Sequence, residues 1–130
     1  MSWNIDSLYE ELAKSNSYTI DRYDNALSIQ LNDYGDLQIT ITLTNKQILV
    51  ETCICPVNVI VRPAEFNLLL LRHQKILPLS TVGISCIDQD EFYIAFGALA
   101  TNSSKENIIL EIETLAENSL ELAELIEEFI

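Results

Sequence analysis

Between Leu27 and Cys55 apolar and polar residues alternate with period two, and that alternation limits the fold more than any other feature of the chain. Leu27, Ile29 and Leu31 alternate with Ser28, Gln30 and Asn32. After the turn residues "DYGD", Leu37, Ile39, Ile41 and Leu43 alternate with Gln38, Thr40, Thr42 and Thr44. "TNKQ" turns the chain again, and Ile48 to Cys55 reads as a third strand. Successive side chains of a strand point to opposite faces, so such an antiparallel meander has one apolar and one polar face. Something other than the strands has to cover the apolar face.

Helical patterns supply that cover. In "NIDSLYEELAK" Asn4 is an N-cap, Asp6 and Glu10 lie near the positive end, and Ile5, Leu8 and Leu12 form one stripe. The polar stretch "SNSYTIDRYDN" reads as the connection from this helix to the meander. Pro56 ends the third strand, and "VNVIV" reads either as a short extension or as an extended connection. Pro63 suits a first helical turn, which places a second helix over about Pro63 to Lys75 before Pro78 forbids continuation. "STVGISCI" and "EFYIAFGAL" are two further strands joined by the acidic turn "DQD". Ser103 with Glu106 reads as a capping box that opens a long last helix. In it Ile108, Ile112, Leu115, Ser119, Leu122, Ile126 and Phe129 follow spacings of four and three, a seam expected to lie across the sheet. The expected fold is α+β, in the order α-β-β-β-α-β-β-α. It is a single domain over residues 1–130, with one twisted antiparallel sheet and helices on one face.

The charge is uneven. Twenty acidic residues against seven basic ones give −13, and the eight glutamates from Glu106 to Ile130 have no basic residue among them. A surface of that sign repels nucleic acid and anionic membranes and favours basic partners, so no nucleic-acid partner is expected. The longest apolar run, "FYIAFGALA", is about half of a membrane span, and "MSWNIDSLYEELAKS" lacks the basic and apolar regions of a signal peptide. No direct membrane insertion is expected, and the expected location is the cytoplasm. Three cysteines, Cys53, Cys55 and Cys86, fit a reducing compartment. On a regular strand Cys53 and Cys55 face the same way, as small apolar packing residues rather than metal ligands.

Catalytic patterns are missing. Gly35, Gly83 and Gly97 are far apart, whereas a phosphate-cradling loop needs clustered glycines. His73, the one histidine, has no nucleophile placed beside it by any motif. Its position near the end of the second helix suits a carbonyl-capping or core-edge role. The glutamates of the last helix read as a solvated outer face rather than as a calcium site. No cofactor and no metal are expected, and an enzyme is the least favoured class.

The second helix raises a different question. Leu68 to Leu71 are four consecutive leucines, which sweep about 300° at roughly 100° per residue. Phe66, Leu69, Leu70 and His73 form one stripe that can face the sheet; Ala64, Leu68, Leu71 and Lys75 form another. The second stripe is expected to meet a second copy of the chain, which makes Ala64, Leu68, Leu71 and Lys75 a candidate homodimer interface. The rival cover is the last helix of the same chain.

Helix and strand order, size, acidity and a dimer built on the second helix resemble the type III secretion chaperone fold. That resemblance implies small acidic homodimers that hold extended client segments and have no enzymatic activity. The segments "MSWNIDSLYEELA", "RHQKILPLSTVGI" (Arg72 to Ile84) and "FYIAFGALATNSSKENIILEIETLAENSLELAE" (Phe92 to Glu124) are similar to the YjfI family of small bacterial proteins. This second resemblance implies a setting beside phage-shock-protein-A-like membrane-stress machinery and carries over no catalytic residues. Together they imply a non-enzymatic cytosolic adaptor or chaperone-like protein that binds a segment of a partner. The alternative is a dedicated type III secretion chaperone for a secreted client.

Overall fold

The computed structural model describes residues 2–130. Helix α1 (Ile5–Leu12) opens the fold. Four strands follow, β1 (Tyr18–Arg22), β2 (Ala26–Leu31), β3 (Leu37–Leu43) and β4 (Gln47–Pro56). Helix α2 (Pro63–His73) leads to β5 (Thr81–Ile87) and β6 (Asp90–Ala100), and α3 (Lys105–Ile126) closes the chain. All neighbouring strands are antiparallel, in the order β1-β2-β3-β4-β6-β5. The α+β class and the single helix-covered sheet are as expected, with one strand more than the sequence pattern gave. The added strand is β1, inside the stretch taken for a connection. It pairs on one side only, Tyr18 opposite Leu31 and Arg22 opposite Leu27. An edge strand of that kind needs few apolar residues, and Tyr18 and Ile20 suffice.

Local chemistry sets the element ends. Asn4 accepts a hydrogen bond from the Ser7 amide at 2.8 Å while the Ser7 hydroxyl accepts from the Asn4 amide at 3.0 Å, so the start of α1 is capped in both directions. The turn between β5 and β6 is two residues long, Asp88 at φ 51° and Gln89 at φ 75°. Two left-handed residues match the twist of a tight hairpin. The cap of α3 falls one residue later than expected. Ser104, not Ser103, accepts from the Asn107 amide at 3.1 Å. Ser103 is held back by its neighbours: its amide donates to the Ala100 carbonyl at 3.0 Å, and its own carbonyl accepts from the Trp3 indole at 2.7 Å.

One core lies between the sheet and the three helices. Leu27, Ile29, Ile39, Ile41, Ile48, Val50 and Ala95 are fully buried beneath Leu8, Phe66, Ile112 and Leu115. The seam residues Ile108, Ile112, Leu115, Ser119, Leu122, Ile126 and Phe129 are all buried, while Glu113, Glu117, Glu121 and Glu128 are exposed. The other face of the sheet is open and carries the polar rows of β2 and β3, where the Gln38 amide donates to Gln30 at 3.1 Å. Cys53 and Cys55 do not share a face. A bulge at this point sets Cys53 opposite Ile94 on the open face and Cys55 opposite Tyr93 over the core. The extra residue breaks the period of two. Burial pushes both thiols above their ordinary pKa.

Candidate interaction surface

Helix α2 divides its leucines between two environments. Phe66 and Leu70 are buried, and Leu69 packs against the core from its margin. The Phe66 ring stands edge-on to Tyr93 and tilted against Phe129, with centroids 5.0 Å apart in both pairs. The Tyr93 hydroxyl donates to the Asn67 side-chain oxygen, which ties the helix to β6 through a polar contact at the edge of the aromatic group. Phe129 therefore packs on the inner side of α2, and α3 never reaches the outer side. Ala64, Leu68, Leu71 and Lys75 are all solvent-exposed, Leu71 to 71%. The intramolecular cover considered for the outer stripe is thus not made.

An open groove of about 270 Å³ continues this apolar surface between α2 and β5, lined by Leu70, Leu71, Gln74, Val82, Ile84 and Tyr93. Ile84, on the edge strand, is 45% exposed. Gln74 is a residue the sequence reading overlooked. Its side-chain amide donates to the Val82 carbonyl at 2.7 Å and accepts from the Val82 amide at 3.0 Å, as a neighbouring strand would. The amide of one side chain closes the outer edge of β5 at Val82. Backbone groups alternate in direction along an antiparallel strand, so those of Ile84 and Cys86 point to the same outer edge, beyond the reach of Gln74.

His73 is exposed, and its Nδ1 lies 2.8 Å from the Leu69 carbonyl oxygen. Donation from Nδ1–H satisfies a carbonyl in the last turn, in keeping with a capping role rather than a core-edge one. No group of three or more His, Cys, Asp or Glu side chains converges among the described residues. No helix among them is long and apolar enough to cross a membrane.

Two buried polar residues of α3 also escaped the sequence reading. The Asn118 amide donates to the Pro78 carbonyl at 2.9 Å and to the Ser80 hydroxyl at 2.8 Å, which fastens the loop before β5 to the helix. Glu111, read as part of a solvated face, is only 5% exposed, and its Oε2 has no hydrogen-bond partner among the described residues. Burial raises its pKa. The carboxylate occupies the space above Gly97, where a β-carbon would overlap Oε2, lie 2.9 Å from Cδ and stand 3.0 Å from the Leu79 carbonyl oxygen.

Comparison with known sequences assigns the chain, because residues 2–130 match a family model described as an uncharacterised protein conserved in bacteria, DUF2170. The chain belongs to the DUF2170 family. A relative within reach of direct alignment is the protein YjfI of Escherichia coli (strain K12), 52% identical over 131 residues that span 99% of this chain and 98% of YjfI. This chain also shares its fold with one chain in each of three solved complexes. The ExsC–ExsE complex aligns with a TM-score of 0.64 at 14% identity, covering 97% of each chain. The HopA1–SchA chaperone–effector complex gives 0.65 at 14%, covering 92% of this chain and 90% of the other. The heterodimeric ExoU–SpcU complex from the type III secretion system of Pseudomonas aeruginosa gives 0.58 at 12%, covering 95% and 98%. At such identities the likeness is one of fold, and the fold is the chaperone-like one that the resemblance implied.

Proposed function

We propose that this DUF2170 protein is a non-enzymatic cytosolic adaptor that dimerises through the outer side of α2 and binds a segment of a partner protein. The observation that carries the reading is the apolar surface of Leu68, Leu71 and Ile84 around the groove, which the chain leaves uncovered. Apolar area of this kind is stabilised by removal from water, at roughly 25 cal/mol per Å². A two-fold axis through α2 would bring each stripe against its copy, with Lys75 at the rim. The free backbone groups of β5 beside it offer an extended segment the hydrogen bonds of an added strand. Proteins of the same fold occur in a chaperone–effector complex and in a type III secretion heterodimer, which supports a binding role over a catalytic one. A dedicated secretion chaperone is the second reading, and a phage-shock-protein-A-like partner is the one that the YjfI resemblance favours.

Gel filtration with light scattering tests the dimer. The wild type should run as a dimer at tens of micromolar. Leu68→Asp and Leu71→Asp would each place two unpaired carboxylates in the interface and should give monomers. A monomeric wild type refutes the reading, and a dimer that survives both substitutions moves the interface away from α2.

A further inference from the structure

A second cavity, of about 320 Å³, lies ahead of the start of β5, where the loop over Pro78–Ser80 crosses the end of β6 and the first turns of α3. Its rim is apolar: Leu79 is 53% and Leu110 54% exposed. Its lining includes Glu111, nine-tenths buried, whose Oε2 accepts no hydrogen bond among the described residues. The loop is fixed in place by Asn118, and Leu79 holds a left-handed backbone at φ 64°. Left-handed backbone in a large apolar residue is uncommon and costs free energy, so the surroundings enforce this geometry.

An ionised carboxylate removed from water and left without a donor is unfavourable, and the usual remedy is a cation within the same protein. Among the described residues no basic side chain pairs with Glu111. Lys14 and Lys105 both pair with Glu11, Arg22 pairs with Asp6 and Arg62 with Glu65. Lys105, on the same helix as Glu111, is thereby directed to the α1 side. The net charge of −13 adds a long-range attraction for basic groups.

We infer that this cavity receives a lysine or arginine side chain of the partner segment, its cationic head at Glu111 and its flanking apolar residues on Leu79 and Leu110. The inference rests on the segment-binding reading and specifies what the segment must contain: a basic residue between aliphatic ones. The aliphatic stem of lysine or arginine suits the passage between two leucines, and the head brings a positive charge to the Glu111 carboxylate in the cavity lining.

The test is selection of random linear peptides, displayed on phage, on immobilised wild type, Glu111→Gln and Leu110→Ser. Glutamine preserves shape and removes the charge, and Leu110→Ser changes only an exposed rim, so circular dichroism should show both variants folded. Wild type should enrich peptides with a Lys or Arg flanked by aliphatic residues. Replacing that residue by citrulline or norleucine should weaken binding about tenfold or more, the scale of one charge-assisted hydrogen bond. Glu111→Gln should lose the preference, and Leu110→Ser should weaken the same peptides. Peptides enriched equally by wild type and Glu111→Gln overturn the cavity as a cation site while the segment-binding reading stands. If wild type enriches no peptide at all, both fail.

Discussion

Replacing Leu115 by alanine measures how tightly α3 is joined to the sheet. Leu115 is fully buried at mid-helix, with Ile112 and Ala116, also fully buried, beside it and the sheet formed by β4 and β6 beneath it. Leu→Ala removes three carbons, and buried examples cost about 2–5 kcal/mol depending on how far the cavity can collapse. A six-stranded sheet backed by a 22-residue helix relaxes little, which places this site at about 3–4 kcal/mol. Unfolding entropy of about 2.1 cal/mol/K per residue gives roughly 0.27 kcal/mol/K for 130 residues, so Tm should fall by about 11–15 °C. Leu120→Ala, on the same helix at 51% exposure, is the control for helix propensity and should cost under about 1 kcal/mol. Urea titrations followed by circular dichroism, at one fixed protein concentration, give both numbers, since self-association would otherwise contribute to the difference. A loss below half a kcal/mol for Leu115→Ala, or equal losses for the two variants, would refute sheet packing of α3.

Two further outcomes follow from the polar groups. The pKa of folded Glu111 is raised above 4.5, so the native state holds its proton more tightly than the unfolded chain does. Stability from this site is therefore highest at low pH and is lost as pH rises through the folded pKa; Glu111→Gln should be more stable than wild type by about 1 kcal/mol at pH 8. That gap should close as the pH approaches 4.5, and a gap independent of pH would contradict an ionised, unpartnered carboxylate. Gln74→Ala removes both hydrogen bonds to Val82 and should cost about 1–3 kcal/mol, with faster amide exchange at Val82. Unchanged exchange there would mean that the β5 edge is protected by something else.

Sequence legibility followed periodicity. The four-three seam of α3 was readable because seven positions over six turns repeat one spacing, and the meander because its polar face is nearly free of apolar residues. The two stripes of α2 were readable from geometry alone, since no single face holds four consecutive leucines. Where periodicity is weak or locally broken, the reading missed the structure. "YTIDR" carries only two core-facing residues and pairs on one side, so it looked like a loop. The bulge that separates Cys53 from Cys55 inserts a residue that no two-residue period can reveal. Glu111 shows a conflict between two signals: its position, three after Ile108 and four before Leu115, belongs to the seam, whereas its charge argued for solvent. Burial won because Gly97 leaves room for a carboxylate. Both cavities are lined partly by loop and helix-end residues distant in sequence, whose meeting depends on topology.

The strand order also bears on how the molecule is made. Short turns join β1 to β4, so those strands can zip as they emerge, but β4 meets β6 only after residues 57–89 have been closed into a loop. Closing such a loop is an entropic barrier that local pairing does not face, and contacts of high sequence separation slow folding. Until β6 arrives, the ten residues of β4 present an unpaired edge beside Ile48 and Val50. Such an edge is open to pairing with the same edge of another nascent chain. The vulnerable interval of this protein therefore falls during translation, while β6 is still inside the ribosome.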